Sequence, residues 1–129
     1  MPTVLVIDDD DMVRSLLVRA LTGARYTVLE AADGQAGLSL ARSNTVDLVV
    51  TDLVMPVQEG METIMTLRRE RPRLPVIAIS GGVTNSRLYL DIAGKIGARR
   101  ILPKPFTPKE LIQLIEAVLA EEAQRQLQT

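Results

Sequence analysis

Apolar residues fall in five short runs, most of them without alternation. They are Val4–Ile7, Tyr26–Ala31, Leu48–Asp52 with its terminal carboxylate, Pro75–Ser80 and Arg99–Pro103. A continuous run of this length suits a strand buried on both faces of a parallel sheet. Tyr26–Ala31 alternates in part, as a sheet edge would. Between the runs the period changes to helical. Val13, Leu16, Leu17, Ala20 and Leu21 form one stripe, with Gly23 as the residue that closes the helix. After the Asp33-Gly34 turn a second stripe, Ala36, Leu40 and Ala41, ends near Ser43-Asn44. A loop is expected over Val57-Gln58-Glu59-Gly60, then a helix with Met61, Ile64, Met65 and Leu67 inward, stopped by Pro72. Leu88, Ile92 and Ile96 mark a fourth helix, before Gly97. Thr107-Pro108-Lys109-Glu110 is a strong start for the last one: Thr as N-cap, Pro at the first helical position, Glu to close a capping box. Leu111, Leu114, Ile115, Val118 and Leu119 are its inward positions.

Strand and helix thus alternate five times, which predicts an α/β protein with a doubly wound, five-stranded parallel sheet, (βα)5. One domain is expected over 1–121, with 122–129 as the polar end of the last helix or a tail.

In such a sheet the C-terminal tips of strands one, three, four and five share an edge. They carry Asp8 and Asp9, then Asp52, then Ser80, then Lys104. Open α/β folds bind and react at that edge. Three carboxylates side by side repel one another unless a cation joins them. A hard dication with oxygen ligands, Mg²⁺ foremost, meets that need. With Lys104 as mobile positive charge and Ser80 as hydroxyl, the edge holds the parts for placing a phosphoryl group on a carboxylate. Asp10 and Asp11 leave two roles open: members of the cluster, or caps and dipole partners of the following helix.

Composition narrows the chemistry further. With no His and no Cys, the chain cannot itself supply a Ser-His-Asp triad, a cysteine nucleophile, a zinc finger or a phosphohistidine. The net charge of -1 gives no electrostatic footprint for nucleic acid, and three aromatic residues give no base-stacking platform. The start Met1–Ile7 has no cationic segment or cleavage site, and no apolar run nears a membrane span, so a cytoplasmic protein is expected.

The acidic pair Asp8-Asp9, Asp52 within Asp52-Leu53-Val54-Met55-Pro56, Gly60, Ser80 and Lys104-Pro105-Phe106 occur in an order and spacing that resemble the receiver domain of bacterial two-component response regulators, of the chemotaxis-regulator-like kind. The resemblance covers nearly the whole chain and implies a flavodoxin-like fold. It implies that Asp52 accepts a phosphoryl group from a partner histidine kinase or histidine phosphotransfer protein. Asp9, Asp52 and the Val54 carbonyl would ligate Mg²⁺, with Asp8 acting mostly through water. Lys104, Ser80 and the backbone of Gly81 and Leu53 would bind the phosphoryl oxygens. Ser80 and position 101 would form the switch, but Ile101 stands where the family usually has Tyr or Phe, and an aliphatic side chain has no ring to rotate. The output surface would be the fourth helix, fifth strand and last helix, around Tyr89, Ile101 and Lys109. It would meet a protein target or a second copy, with no direct contact to nucleic acid or membrane. The domain would be no enzyme beyond self-phosphorylation and slow self-dephosphorylation, since Val54 and Gly82, flanking the water's approach, cannot orient it. The competing reading is a haloacid-dehalogenase-like phosphatase with an aspartyl nucleophile. It wants Asp-x-Asp-x-Thr after strand one, where this chain has Asp8-Asp9-Asp10-Asp11-Met12.

Overall fold

The computed structural model describes residues 1–53, 57–80, 95 and 97–127, with the backbone alone at 57–59 and 80. The strands are β1 (Thr3–Ile7), β2 (Thr27–Ala31), β3 (Leu48–Asp52), β4 (Val76–Ser80) and β5 (Arg100–Pro103). They make one parallel sheet in the order β2-β1-β3-β4-β5. The described helices are α1 (Asp11–Gly23), α2 (Gly34–Ser43), α3 (Val57–Glu70) and α4 (Pro108–Leu127). The fourth helix expected around Leu88 and Ile92 lies outside the described residues.

Layers form on both faces because successive strand residues point to opposite sides. On one face Leu5, Ile7, Val49, Val76 and Ala78 pack with Ala41 of α2 and Ile64 and Leu67 of α3. On the other, Val4, Val6, Leu48, Val50, Ile77 and Ile79 pack with Leu17 and Leu21 of α1 and Leu111, Ile115 and Val118 of α4. β1 and β3 are buried throughout their apolar length, as unbroken Val/Leu runs require, whereas β2 at the edge is only partly covered.

Several helix details depart from the pattern. Val57–Gly60, expected as a loop, is the first turn of α3. Gly60 sits where α3 passes over β3: a Cβ there would lie in contact, 3.4 Å from the Asp52 carbonyl oxygen and the Leu53 Cα. α1 continues through Gly23, and the left-handed residue after its end is Arg25, with φ 72°. Leu16 and Met65, expected inward, are exposed. In α2 the buried positions are Gly34, Gly37 and Ala41, and Ala36 faces solvent. Small residues let α2 approach closely: a Cβ on Gly37 would sit 2.4 Å from Ile7 Cδ1. The capping box of α4 is present, with the Glu110 N–H donating to Thr107 Oγ1 at 3.1 Å and the Thr107 N–H to Glu110 Oε1 at 3.4 Å.

Candidate functional site

Strand order reverses between β1 and β3, since β1 leads outward to β2 and β3 to β4 and β5. A crevice opens at the C-terminal ends of such a pair. Ile7 is paired with Thr51, so the residues that follow, Asp8 and Asp52, lie side by side at the crevice. One carboxylate oxygen from each of Asp8, Asp9 and Asp52 falls within 4.8 Å of the others. Asp8 and Asp52 are 1% and 3% exposed, while Asp9 faces solvent. Lys104, just past β5, points its Nζ at Asp52 Oδ2 across 3.4 Å.

The local chain fixes how Asp8 is held. Its Oδ1 accepts from the Asp10 N–H at 2.9 Å. Its own N–H donates to Ala31 O at the end of β2. Its Oδ2 is buried with no hydrogen-bond partner among the described residues. Burial pushes the Asp8 carboxyl up to about 6, and the negative charge of Asp52 adds to that, partly offset by the Asp10 N–H and Lys104. A buried acceptor with nothing to accept from is costly. An all-oxygen donor set that is short of positive charge matches a hard dication, which binds through oxygen. The residues present therefore fit the cation that their types suggest.

Asp10 and Asp11 are not part of the cluster. Asp10 is the N-cap of α1 and accepts from the Met12 and Val13 N–H groups. Asp11 pairs with Arg14 at 2.6 Å. Ser80 ends β4 opposite Pro103 of β5, so its backbone reaches the same edge. Gly81, Gly82 and Val54 lie outside the described residues. The Leu53 backbone corrects an expectation: its N–H donates to Ile79 O at 2.8 Å. Committed to the sheet, it has no proton left for a phosphoryl oxygen. Ile101 is half-buried and packs against the α2–α3 side of the core.

One residue escaped the sequence reading. Arg14 donates from Nη1 to the Asp8 carbonyl oxygen at 2.7 Å, from Nη2 to Asp11, and from Nε to Glu30 Oε1 at 3.0 Å. The available signal was its spacing, three residues after Asp11 at a helix start, where an arginine can turn back over the first turn.

A profile of the response regulator receiver domain matches residues 4–116. This chain belongs to the response regulator receiver domain family. The DNA-binding transcriptional regulator NtrC of Bradyrhizobium sp. (strain RP501 Parasponia) is 35% identical over 123 residues, covering 95% of this chain and 25% of that protein. The chain thus spans about a quarter of the length of the NtrC relatives it matches. The crystal structure of NtrX from Brucella abortus superposes with a TM-score of 0.90 at 26% identity, covering 98% of this chain and 28% of that one. Chemotaxis protein CheY4 of Vibrio cholerae, in a high-resolution structure, gives a TM-score of 0.82 at 28% identity, covering 92% and 98%. Receiver domains are signalling modules of two-component systems rather than a catalytic family, and they take their phosphoryl group from histidine kinases. No helix among the described residues of this receiver domain is long and apolar enough to cross a membrane.

Proposed function

We propose that this receiver domain takes a phosphoryl group onto Asp52 from a phosphohistidine on a partner kinase or phosphotransfer protein. What carries the reading is the convergence of Asp8, Asp9 and Asp52 at the reversal of strand order, with the Lys104 ammonium 3.4 Å from Asp52 Oδ2. A carboxylate oxygen of Asp52 attacks phosphorus, an O–P bond forms, and the P–N bond to the donor imidazole breaks. The imidazole nitrogen leaves with the electron pair and is protonated from solvent. Lys104 would bind an oxygen of the arriving group, and Ser80 would supply a hydroxyl to it. Asp8, Asp9, Asp52 and the Val54 carbonyl would hold Mg²⁺, which when bound supplies positive charge against the phosphoryl oxygens. We place the domain in the cytoplasm and its output, a protein target or a second copy, on the surface that includes β5 and α4. Residues 122–129 would lie beyond the phosphoacceptor unit of 1–121.

The test is incubation with acetyl phosphate and Mg²⁺ followed by intact mass and peptide mapping. One added phosphoryl group on Asp52, lost in Asp52→Asn and on removing Mg²⁺ with chelator, is expected. Modification mapped to Asp8 or Asp33 would overturn the assignment.

A further inference from the structure

We propose that Arg14 is a positioning residue for the acidic pair, acting as a clamp on the main chain of Asp8. The inference rests on the Mg²⁺ reading of the site and deepens it. Asp8 is gripped twice from the start of α1. The Asp10 N–H holds its Oδ1, and the Arg14 guanidinium holds its carbonyl oxygen. The Arg14 backbone N–H in turn donates to Asp10 O at 2.9 Å, so the same residue closes the helical turn that presents the Asp10 amide. With carbonyl and Oδ1 both committed, Oδ2 is the one side-chain oxygen of Asp8 left for a cation.

A guanidinium beside a dication site would ordinarily repel the dication. Here two carboxylates take up its charge. Asp11 lies 2.6 Å away on the same helix, and Glu30 lies 3.0 Å away on the neighbouring edge strand β2. Both hydrogen bonds hold Arg14 in its charged form. Three acceptors on α1, β2 and the β1–α1 loop are thus joined by one planar group, which spans them in fixed directions. Lysine carries the same charge but cannot reach all three at once. Glu30 lies on the edge strand β2. In the structure it neutralises the clamp.

Arg14→Lys and Arg14→Met, each compared with wild type by Mg²⁺ titration, metal-free amide exchange and urea unfolding, test this. Arg14→Lys retains charge and length and isolates geometry. Mg²⁺ affinity in Arg14→Lys should fall roughly tenfold, as when outer partners of metal ligands are removed. The Asp10 amide should exchange about tenfold faster than in wild type without metal, because its acceptor is no longer held. Arg14→Met should lose affinity too. Tighter Mg²⁺ binding in Arg14→Met would show that Arg14 acts only as a repelling charge, and would overturn the proposal. So would wild-type affinity and wild-type Asp10 exchange in Arg14→Lys, even with a loss of stability, since that is what a merely structural contact produces. If Arg14→Met does not fold, Arg14→Lys decides alone. If wild type itself binds no Mg²⁺, the cation reading falls, and Asp10 exchange in the metal-free lysine variant still decides whether the clamp exists.

Discussion

Asp8 lies where a charged carboxylate is most expensive, 1% exposed and beside a second acid. Its carboxyl titrates near 6 in the folded protein and near 3.8 when unfolded. Below about pH 4 both states hold the proton, so the group contributes nothing to stability. Between about pH 4 and 6 the native state keeps a proton that the unfolded chain has released, so stability falls as pH rises through that window. Above about pH 6 the full penalty remains, on the order of 3 kcal/mol in metal-free protein. Asp8→Asn removes the charge and keeps an oxygen for the Asp10 N–H. It should raise metal-free stability at neutral pH by roughly 1–3 kcal/mol and flatten the acid dependence. Urea unfolding at pH values on either side of the window checks this; an asparagine variant no more stable than wild type at pH 7 contradicts it.

The turn after α1 carries backbone strain and α2 a close contact, and substitution exposes both. Arg25 occupies left-handed backbone, where a side chain costs about 1–2 kcal/mol. Arg25→Gly removes that cost but loosens the unfolded chain, so a net gain of about 0.5–1 kcal/mol in thermal or urea unfolding is expected. Gly37→Ala does the reverse, pressing a methyl to 2.4 Å from Cδ1 of the buried Ile7. A loss of about 1–3 kcal/mol should follow, and Ile7→Val in the same chain should recover part of it by removing that Cδ1. An unchanged midpoint in Gly37→Ala would mean that Ile7 can turn aside. The strands were legible in the sequence because burial on both faces leaves an unbroken Val/Leu run. The inner faces of the helices were less so. Glycine in α2 is buried for its smallness, which no apolar stripe reveals, and Gly60 is helical where composition suggests a loop. At the site, Asp8, Asp9, Asp52 and Lys104 were legible as strand tips. The Leu53 amide and Arg14 were not, since one depends on which carbonyl lies opposite and the other on a side chain turning back across its own helix.

For the whole molecule, charge decides one question that the relatives raise. NtrC is a DNA-binding regulator by name, yet this chain matches only a quarter of its length. With a net charge of -1 and Arg99, Arg100 and Arg125, the arginines near β5 and α4, each paired with Glu121 or Glu122, the described residues present no broad basic face to hold phosphates. This polypeptide by itself should give no shift of duplex DNA in a gel at low salt, and a salt-sensitive shift would refute that. The strand order has a further consequence for synthesis on the ribosome. β1 and β2 are made first and pair; β3 then joins the free side of β1, β4 the free side of β3, and β5 the free side of β4. No emerging strand has to be threaded between two that have already met, so the sheet can lengthen in the direction of translation. Until β4 leaves the exit tunnel, however, the partly made chain presents β3 as an open margin led by Leu48, Val49 and Val50. That interval, when roughly the first half of the protein exists without the second, is when the nascent chain most needs a chaperone to keep it from its neighbours.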